Sequence, residues 1–288
     1  MTHVSDRSAF AGAVAQEGGL PFLALALMDG DEVAELLRET ADRLGGLPWG
    51  VGVAAAAPAG FTPPDVRAAQ LAAVRAAAPP YALLAGGRPA EAESLEEAGI
   101  GAYLHVPSPE LLDRFLDEGA RKFVLQGGEG GGLCGPFAAF PLWEALVGRL
   151  ASFGGDPAEL SVMFAGGVHD ERSAAMVAAL AGPLAERGAD VRVLMGTGYL
   201  FTTEAVATGA IVPGYQDVAL ACDGTALLES SAGRATRCAR TPYAETFAET
   251  RAELEQVGTP GDEVGRRLEK LNLARLRVAA KGLRRANR

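Results

Sequence analysis

Seven short apolar runs, separated by longer amphipathic stretches, constrain the fold of this chain more than any other feature. Each run has few internal charges, and continuous apolar runs are typical of strands buried on both faces of a parallel sheet. The predicted strands span residues 21–28, 48–54, 81–85, 101–106, 122–126, 160–165 and 191–195. This repeated strand–helix order predicts an α/β fold with a parallel sheet.

Helix starts can be read in several of the stretches between these runs. Thr62 precedes two prolines, and Ser108 precedes Pro109 and Glu110, so each hydroxyl is placed to cap a helix that begins with proline. Asp170 is placed to cap a further helix after the sixth predicted strand. These boundaries support the same alternation of strands and helices.

The position of the glycine-rich turns distinguishes the two common parallel α/β folds. They follow the last strands, where barrels build a phosphate site, whereas an early GxGxxG turn, typical of doubly wound sheets, is missing. We therefore predict a TIM-type (β/α)8 barrel over residues 1–205. Seven strands are counted, so the first strand is expected to be missing. Either the true start lies upstream, or the chain is a piece of a larger synthase, or a partner fills the gap.

The pattern changes after about residue 206. Residues 207–240 are predicted to be irregular, and residues 243–288 to be helical with a break at 258–261. The stretch 264–283 has a basic amphipathic pattern, which we interpret as a helix with its charged face in solvent rather than as a membrane or partner site. We predict that residues 206–288 form an irregular and helical extension packed on the barrel.

Charge and cysteine content argue against several classes of function. The formal net charge is -10 and no basic run occurs before the last dozen residues, so a nucleic acid partner is not expected. Cys134, Cys222 and Cys238 form neither a disulfide framework nor a zinc motif, which fits a reducing cytoplasm. No stretch of about 18 apolar residues and no secretory signal is found, so we expect a cytoplasmic protein without a membrane span.

Two glycine turns follow the sixth and seventh predicted strands, AGGV at residues 165–168 and MGTG at residues 195–198. Without a Cβ, glycine lets backbone N–H groups approach an anion, and a helix after each turn would point its positive end at the same place. The two turns together predict a phosphate site at Gly166, Gly167, Gly196 and Thr197, whose hydroxyl is a further donor. The alternative is a pair of ordinary tight turns.

The segment after the fifth predicted strand, QGGEGGGLCGP at residues 126–136, is unusually rich in glycine for a connection. It predicts a backbone that passes close to a flat ring system. Gln126 would present an amide that both donates and accepts hydrogen bonds, as a flavin edge requires. The alternative is a flexible surface loop.

These segments together resemble the nitronate monooxygenase family, formerly named 2-nitropropane dioxygenase. Residues 126–136 are similar to the family's QGxEAGGHxG segment, residues 164–168 (FAGGV) to its AGGI turn, and residues 194–201 (LMGTGYLF) to its QMGTRFL turn. Residues 1–5 (MTHVS) are similar to the end of its first strand, GPMTxVS. The ordered match spans roughly residues 1–205. YLHVPSP and LNLARLRVAAKGL resemble the synthase-associated branch, which is related to FMN-dependent enoyl reductases.

The resemblance implies FMN bound at the carboxyl ends of the strands, with NAD(P)H as a compatible reductant. It places Gln126 and Gly131 at the flavin. The residues that it places on the phosphate side are Gly166, Gly167, Leu194, Met195, Gly196 and Thr197. It further implies a small-molecule or acyl substrate and, through the synthase branch, partner modules of a polyketide or fatty acid synthase.

Two departures from the family pattern bear on the chemistry. Leu133 stands where the family has a histidine that removes the substrate's α-proton or hydrogen-bonds its nitro or acyl group, and leucine does neither. The loss of a general base costs on the order of 10²–10⁴ in rate. Gly52 stands where the family has a flavin-contacting asparagine, so that contact is lost. We interpret Cys134 as a small buried hydrophobic residue.

None of the three histidines has metal-ligand spacing with another ligand. His105 ends a predicted strand, where it either faces the pocket or caps a neighbouring group. His169 is expected to start a helix, and His3 lies near the N-terminus.

Two classes of function remain. The first is an FMN-dependent oxidoreductase, either a nitronate monooxygenase or an enoyl reductase, and the second is an inactive flavin-barrel module with a structural or docking role.

Overall fold

The predicted parallel sheet is present in the computed structural model, which describes residues 5–26, 28–54, 62–231 and 234–282. The first eight strands are β1 (Phe22–Ala24), β2 (Gly50–Ala54), β3 (Tyr81–Ala85), β4 (Gly101–Val106), β5 (Lys122–Gln126), β6 (Gly132–Cys134), β7 (Ser161–Ala165) and β8 (Asp190–Leu194). All except β6 form one sheet in the order β1-β2-β3-β4-β5-β7-β8, and every neighbouring pair is parallel. The seven predicted strands and the α/β barrel class are confirmed.

The sheet is buried on both faces because apolar side chains alternate between two clusters. Leu104 and Leu125 point outward and pack with the surrounding helices. Tyr103, Val124 and Met163 point inward and fill the barrel interior. Each fully buried aliphatic side chain contributes about 1.5–3 kcal/mol. Burial on both sides explains why the strand sequences are continuous apolar runs rather than alternating ones.

The sheet does not close into a complete ring. Among the residues that the structure describes, β1 and β8 are not paired with each other. A cavity of about 210 Å³ lies at this gap, lined by residues of both strands and by the helix α1 (Ser8–Gln16), including Phe10, Phe22 and Leu194. The expected gap between the first and last strands is therefore confirmed. The three explanations offered for it stay predictions.

The helices surround the sheet and follow its strands in alternation. After α1 they are α2 (Gly30–Leu44), α3 (Pro64–Ala77), α4 (Pro89–Glu96), α5 (Pro109–Asp117), α6 (Ala139–Ala151), α7 (Glu171–Glu186), α8 (Thr203–Ala207), α9 (Pro213–Ala221), α10 (Pro242–Gln256) and α11 (Gly261–Lys281). Two predicted caps are confirmed. The Ser108 hydroxyl accepts a hydrogen bond from the Leu111 N–H at 3.4 Å, and the Asp170 carboxylate accepts one from the Ser173 N–H at 2.8 Å.

The predicted cap at Thr62 is wrong. Pro63 takes the capping position of α3 and no side chain caps that helix. The two residues that follow Thr62 are prolines, which have no N–H to donate to its hydroxyl. Within the described part of the chain, the buried Thr62 hydroxyl has no hydrogen-bond partner.

The prediction that residues 207–240 are irregular is also wrong. This region contains α9 and a hairpin of β9 (Thr225–Ser231) and β10 (Arg234–Ala239), and β10 pairs antiparallel with β6 to make a second sheet. Charged residues on both hairpin strands obscured the strand pattern. The helices predicted for residues 243–288 are present in the described residues as α10 and α11, separated by a break at residues 257–260, and residues 283–288 lie outside the described residues.

The described residues contain no helix that is long and apolar enough to cross a membrane. They also contain no group of three or more His, Cys, Asp or Glu side chains placed to hold a metal ion.

Candidate functional site

Three neighbouring strands carry the predicted site residues to one edge of the sheet. Gln126 at the end of β5 is in register with Ala165 at the end of β7, and Ala165 is in register with Leu194 at the end of β8. The carboxyl ends of parallel strands are where barrels build their sites. The glycine segment and the two glycine turns therefore leave the sheet side by side.

The turn after β7 is locked against the start of the glycine segment. Gly166 and Gly167 have φ of +98° and +86°, which residues with a Cβ rarely adopt. The Gly127 N–H donates to the Ala165 carbonyl at 2.9 Å. A Cβ on Gly166 would lie 2.7 Å from the Gly127 carbonyl oxygen, so this position leaves room for glycine alone.

The turn after β8 lies against both of the other turns. A Cβ on Gly198 would lie 3.6 Å from the His169 carbonyl oxygen, and a Cβ on Gly131 would lie 2.5 Å from the Thr197 hydroxyl. The structure thus brings Gln126, Gly131 and Thr197 into one region. The turn continues as a five-residue 3-10 helix, Thr197–Phe201, rather than as the longer helix expected.

Four backbone N–H groups at these turns are unused. In the part of the chain that the structure describes, the N–H groups of Gly166, Gly167, Gly196 and Thr197 donate no hydrogen bond. Gly167 and Thr197 are exposed, so a bound group could reach them. Leu194 is the half-buried last residue of β8, and Met195 packs its sulfur against Gly198. Free N–H groups on glycine-rich turns are suited to binding an anion.

Glu129 links the glycine segment to α6, and its Cβ lies 3.3 Å from the place that a Cβ on Gly167 would take. Its carboxylate accepts a hydrogen bond from the Ala139 N–H at 2.6 Å, at the start of α6. A carboxylate is favourable at this position because the N-terminus of a helix carries a partial positive charge. Arg237 of β10 donates to the Gly128 carbonyl at 3.0 Å. The second sheet therefore also holds the glycine segment, through this contact from β10.

Leu133 lies in β6, where it pairs with Thr236 of β10 and is half-buried. Its carbonyl oxygen accepts a hydrogen bond from Gln126 Nε2 at 2.8 Å. The neighbouring Cys134 is buried and its Sγ contacts the Ala235 carbonyl at 3.6 Å. Burial raises the pKa of the Cys134 thiol, so less of it is ionised to the thiolate that could accept a proton than in a free thiol. Neither residue offers a proton acceptor in place of an imidazole.

His105 is a titratable group on β4, the strand that pairs with β5. It lies in β4, in register with the inward-pointing Val124, so its ring enters the barrel interior. Burial lowers its pKa to about 4, and a hydrogen bond with Gln126 acts in the opposite direction. In the described structure Nε2 is enclosed and has no hydrogen-bond partner. Side chains alternate between the two faces along a strand, and Tyr103 faces inward. His105, two residues later in β4, could therefore have been predicted to face inward as well.

The other residues that the sequence singled out lie around the site in simpler roles. His169 is exposed and lies just before α7, whose first residue is Glu171, and its Nδ1 lies 2.6 Å from the Gly167 carbonyl. Gly52 lies in β2 in register with Leu83, on the inner face, and offers no polar group there. His3, together with the first four residues of the MTHVS motif, lies outside the described residues.

Comparisons with known proteins identify relatives in sequence and in structure. The dehydrogenase of Mycobacterium tuberculosis named (3aS,4S,5R,7aS)-5-hydroxy-7a-methyl-1-oxo-octahydro-1H-indene-4-carboxyl-CoA dehydrogenase is 32% identical over 241 residues, which cover 81% of this chain. The chain spans 59% of the length of that relative.

Two solved structures share the fold. FabK from Thermotoga maritima has a TM-score of 0.73 and 21% identity, covering 97% of this chain and 79% of that one. The nitroalkane oxidase from Streptomyces ansochromogenes has a TM-score of 0.65 and 20% identity, covering 96% and 95%. The family model described as nitronate monooxygenase matches residues 1–282. The chain therefore belongs to the nitronate monooxygenase family, which is a family of oxidoreductases.

Proposed function

We propose that this protein is an FMN-dependent oxidoreductase that oxidises alkyl nitronates. The observation that carries the proposal is the set of four unused N–H groups on two adjacent turns, at Gly166, Gly167, Gly196 and Thr197. A terminal phosphate is the part of FMN that such a set would hold, through charge-assisted hydrogen bonds that need no Lys or Arg. The family to which the chain belongs supports the same cofactor.

The residues around these turns also fit the rest of the cofactor. Thr197 adds a hydroxyl donor on the phosphate side, next to Leu194 and Met195. The segment 127–132 carries one side chain beyond glycine, that of Glu129, which is turned to α6. A flat ring could therefore approach Gly131 and the Gln126 amide closely. FMN supplies the electron-accepting chemistry when bound, and the chain supplies binding and orientation.

Leu133 favours a nitronate over a neutral nitroalkane as the substrate. A nitronate has already lost its α-proton, so its oxidation needs no general base. A neutral nitroalkane must first lose that proton, and the Leu133 side chain supplies no acceptor for it. The absence of a base at this position costs on the order of 10²–10⁴ in rate for the nitroalkane only.

Oxygen uptake by the FMN-loaded protein tests this proposal. With an alkyl nitronate we expect turnover, and with the corresponding neutral nitroalkane at the same pH we expect turnover lower by at least about 100-fold. Leu133→His is the matched variant, and it should raise nitroalkane turnover more than nitronate turnover. Failure of the purified protein to take up FMN would contradict the proposal, as would equal rates with the two substrates.

A second candidate is enoyl reduction with NAD(P)H as the reductant. The mycobacterial relative is named for a carboxyl-CoA substrate, which makes an acyl thioester a reasonable substrate class for this chain. NAD(P)H oxidation that depends on an enoyl thioester, with no oxygen uptake from nitronates, would favour this candidate.

A third candidate is an inactive flavin-barrel module that docks with other modules of a synthase. Leu133 and the open gap between β1 and β8 support it, because both depart from a complete catalytic barrel. Bound FMN without either turnover would favour this candidate.

A further inference from the structure

The turn of Gly196 and Thr197 lacks the support that a closed barrel would give it. Among the described residues its strand, β8, is the last of the sheet, so no strand pairs with the outer edge of β8. Gly196 itself lines the cavity between β8 and β1. Backbone N–H groups bind an anion well when their positions are fixed in advance, so this turn needs support from elsewhere.

Apolar side chains on the segment that continues the turn supply this support. Tyr199 and Leu200 of the 3-10 helix pack in one cluster with Phe10 of α1 and with Leu276 and Ala280 of α11. The rings of Phe10 and Tyr199 meet edge to face, with their centroids 6.4 Å apart. Because the 3-10 helix begins at the turn, the end of α11 and the start of α1 determine where the unused N–H groups lie.

A buried ion pair fixes the end of α11 to the segment before α1. Lys281 Nζ donates to the carboxylate of Asp6 and, at 2.6 Å, to the Ala210 carbonyl. Only 14% of the Lys281 side chain and 13% of the Asp6 side chain are exposed. The Ala280 carbonyl accepts a hydrogen bond from the Val212 N–H at 2.9 Å. Buried ion pairs are screened little by salt, and removal of one partner leaves the other charge uncompensated.

The same helix carries a second buried ion pair, which joins it to a different part of the molecule. Glu269 pairs with Arg234 of β10 at 2.6 Å and accepts a hydrogen bond from the Ser230 hydroxyl of β9. The two side chains of this pair are 17% and 18% exposed. Glu269 precedes Lys281 by twelve residues, about 18 Å along a helix. One pair thus holds α11 to the second sheet, and the other holds it beside the open gap.

We propose that Lys281 and Asp6 are positioning residues for the turn of Gly196 and Thr197, and that they hold its N–H groups where a phosphate binds. This inference rests on the proposed function. The pair acts through the packing of Tyr199 against α1 and α11, in a barrel whose open edge gives the turn no neighbouring strand. Loss of the pair should therefore weaken binding of the phosphate and leave binding of the flavin ring unchanged.

Titration of the full-length protein with FMN and with riboflavin, followed by flavin fluorescence, tests the role of the pair. Lys281→Met removes the charge at similar length, and it should weaken FMN binding about 3- to 10-fold and leave riboflavin binding within about 2-fold. Asp6→Asn should act in the same direction more weakly, because asparagine retains an acceptor for Lys281. Glu269→Gln is the matched control. It breaks the other buried pair of α11 and should leave the preference for FMN over riboflavin unchanged.

Amide hydrogen exchange of the unaltered protein gives a second measurement that needs no variant. Coupling between two sites is reciprocal, so a phosphate held by the turn should stabilise the end of α11 in return. FMN should slow exchange at residues 276–281, and riboflavin should not.

The outcomes separate the inference from the proposed function. If the unaltered protein takes up no FMN, the proposed function fails and the inference fails with it. If FMN binds more tightly than riboflavin but folded Lys281→Met keeps the full preference, the inference alone is overturned. The same holds if Glu269→Gln loses the preference to an equal extent. Should Lys281→Met not fold, unchanged exchange at residues 276–281 on FMN binding overturns the inference.

Discussion

Polar groups at the two ends of the barrel interior differ in whether they have hydrogen-bond partners. Toward the amino ends of the strands, the Tyr103 hydroxyl lies 2.8 Å from the Ser161 hydroxyl, which donates to Asp190 at 2.7 Å. Asp190 also pairs with Arg192, whose guanidinium lies over the Tyr81 ring. Every polar group in this chain of contacts has a partner. These contacts hold the strands together.

Toward the carboxyl ends, polar groups in the described structure are left unused. Nε2 of His105 has no partner, and four backbone N–H groups at the glycine turns donate no hydrogen bond. Unpaired buried groups are costly, and a bound ligand is one of the partners that can satisfy them. From this comparison we propose that the amino end maintains stability and that the carboxyl end binds a ligand. Substitutions at each end should therefore have different consequences.

The largest effect is expected from Gly166→Ala at the carboxyl end. The left-handed backbone costs about 1–3 kcal/mol of stability for a residue with a Cβ, and contact with the Gly127 backbone adds to this cost. FMN binding should be lost with the turn. The matched control is Gly209→Ala, because Gly209 has φ of +71° but open space around it, so about 1–2 kcal/mol is expected there. Equal losses in urea unfolding would contradict the proposed clash.

The next effect concerns the pH dependence of stability through His105. Its folded pKa of about 4 lies below the ordinary value of 6.5, so between these values the unfolded chain holds a proton that the folded chain lacks. The free energy of unfolding should therefore fall by about 3 kcal/mol as pH drops from 6.5 to 4, and His105→Leu should lack this component. The check is urea unfolding at several pH values. Identical pH slopes for the two proteins would show that His105 is not buried as described.

A smaller effect is expected from Ser161→Ala at the amino end. The substitution leaves the buried Tyr103 hydroxyl without its partner, which should cost about 1–3 kcal/mol of stability. FMN affinity should be unchanged. Ser152→Ala is the control, because Ser152 bonds to a carbonyl on the exposed surface and a change within about 0.5 kcal/mol is expected. Reduced FMN affinity in folded Ser161→Ala would contradict the claim that the amino end affects stability and not binding.

The sequence was informative wherever local chemistry decides the structure. The strand boundaries at residues 81–85, 101–106 and 122–126 agree with the structure because these strands are buried on both faces. The glycine turns could be placed because φ near +90° at Gly166 and Gly167 strongly favours glycine. The α/β barrel class and the family followed from these local signals.

The parts that could not be predicted depend on contacts between distant residues. The β9–β10 hairpin is stabilised by pairing with β6, about 100 residues earlier, and its charged strands give no buried run. The environment of the His105 ring depends on Gln126 of the neighbouring strand β5. Each case needed the three-dimensional neighbours rather than the local pattern.

The most direct test of the carboxyl-end site is a titration of the purified protein with FMN and with riboflavin, which lacks the phosphate. If the unused N–H groups of Gly166, Gly167, Gly196 and Thr197 hold the phosphate, FMN should bind about 10- to 100-fold more tightly than riboflavin. Equal affinity for the two flavins, or no uptake of FMN, would contradict this account of the site.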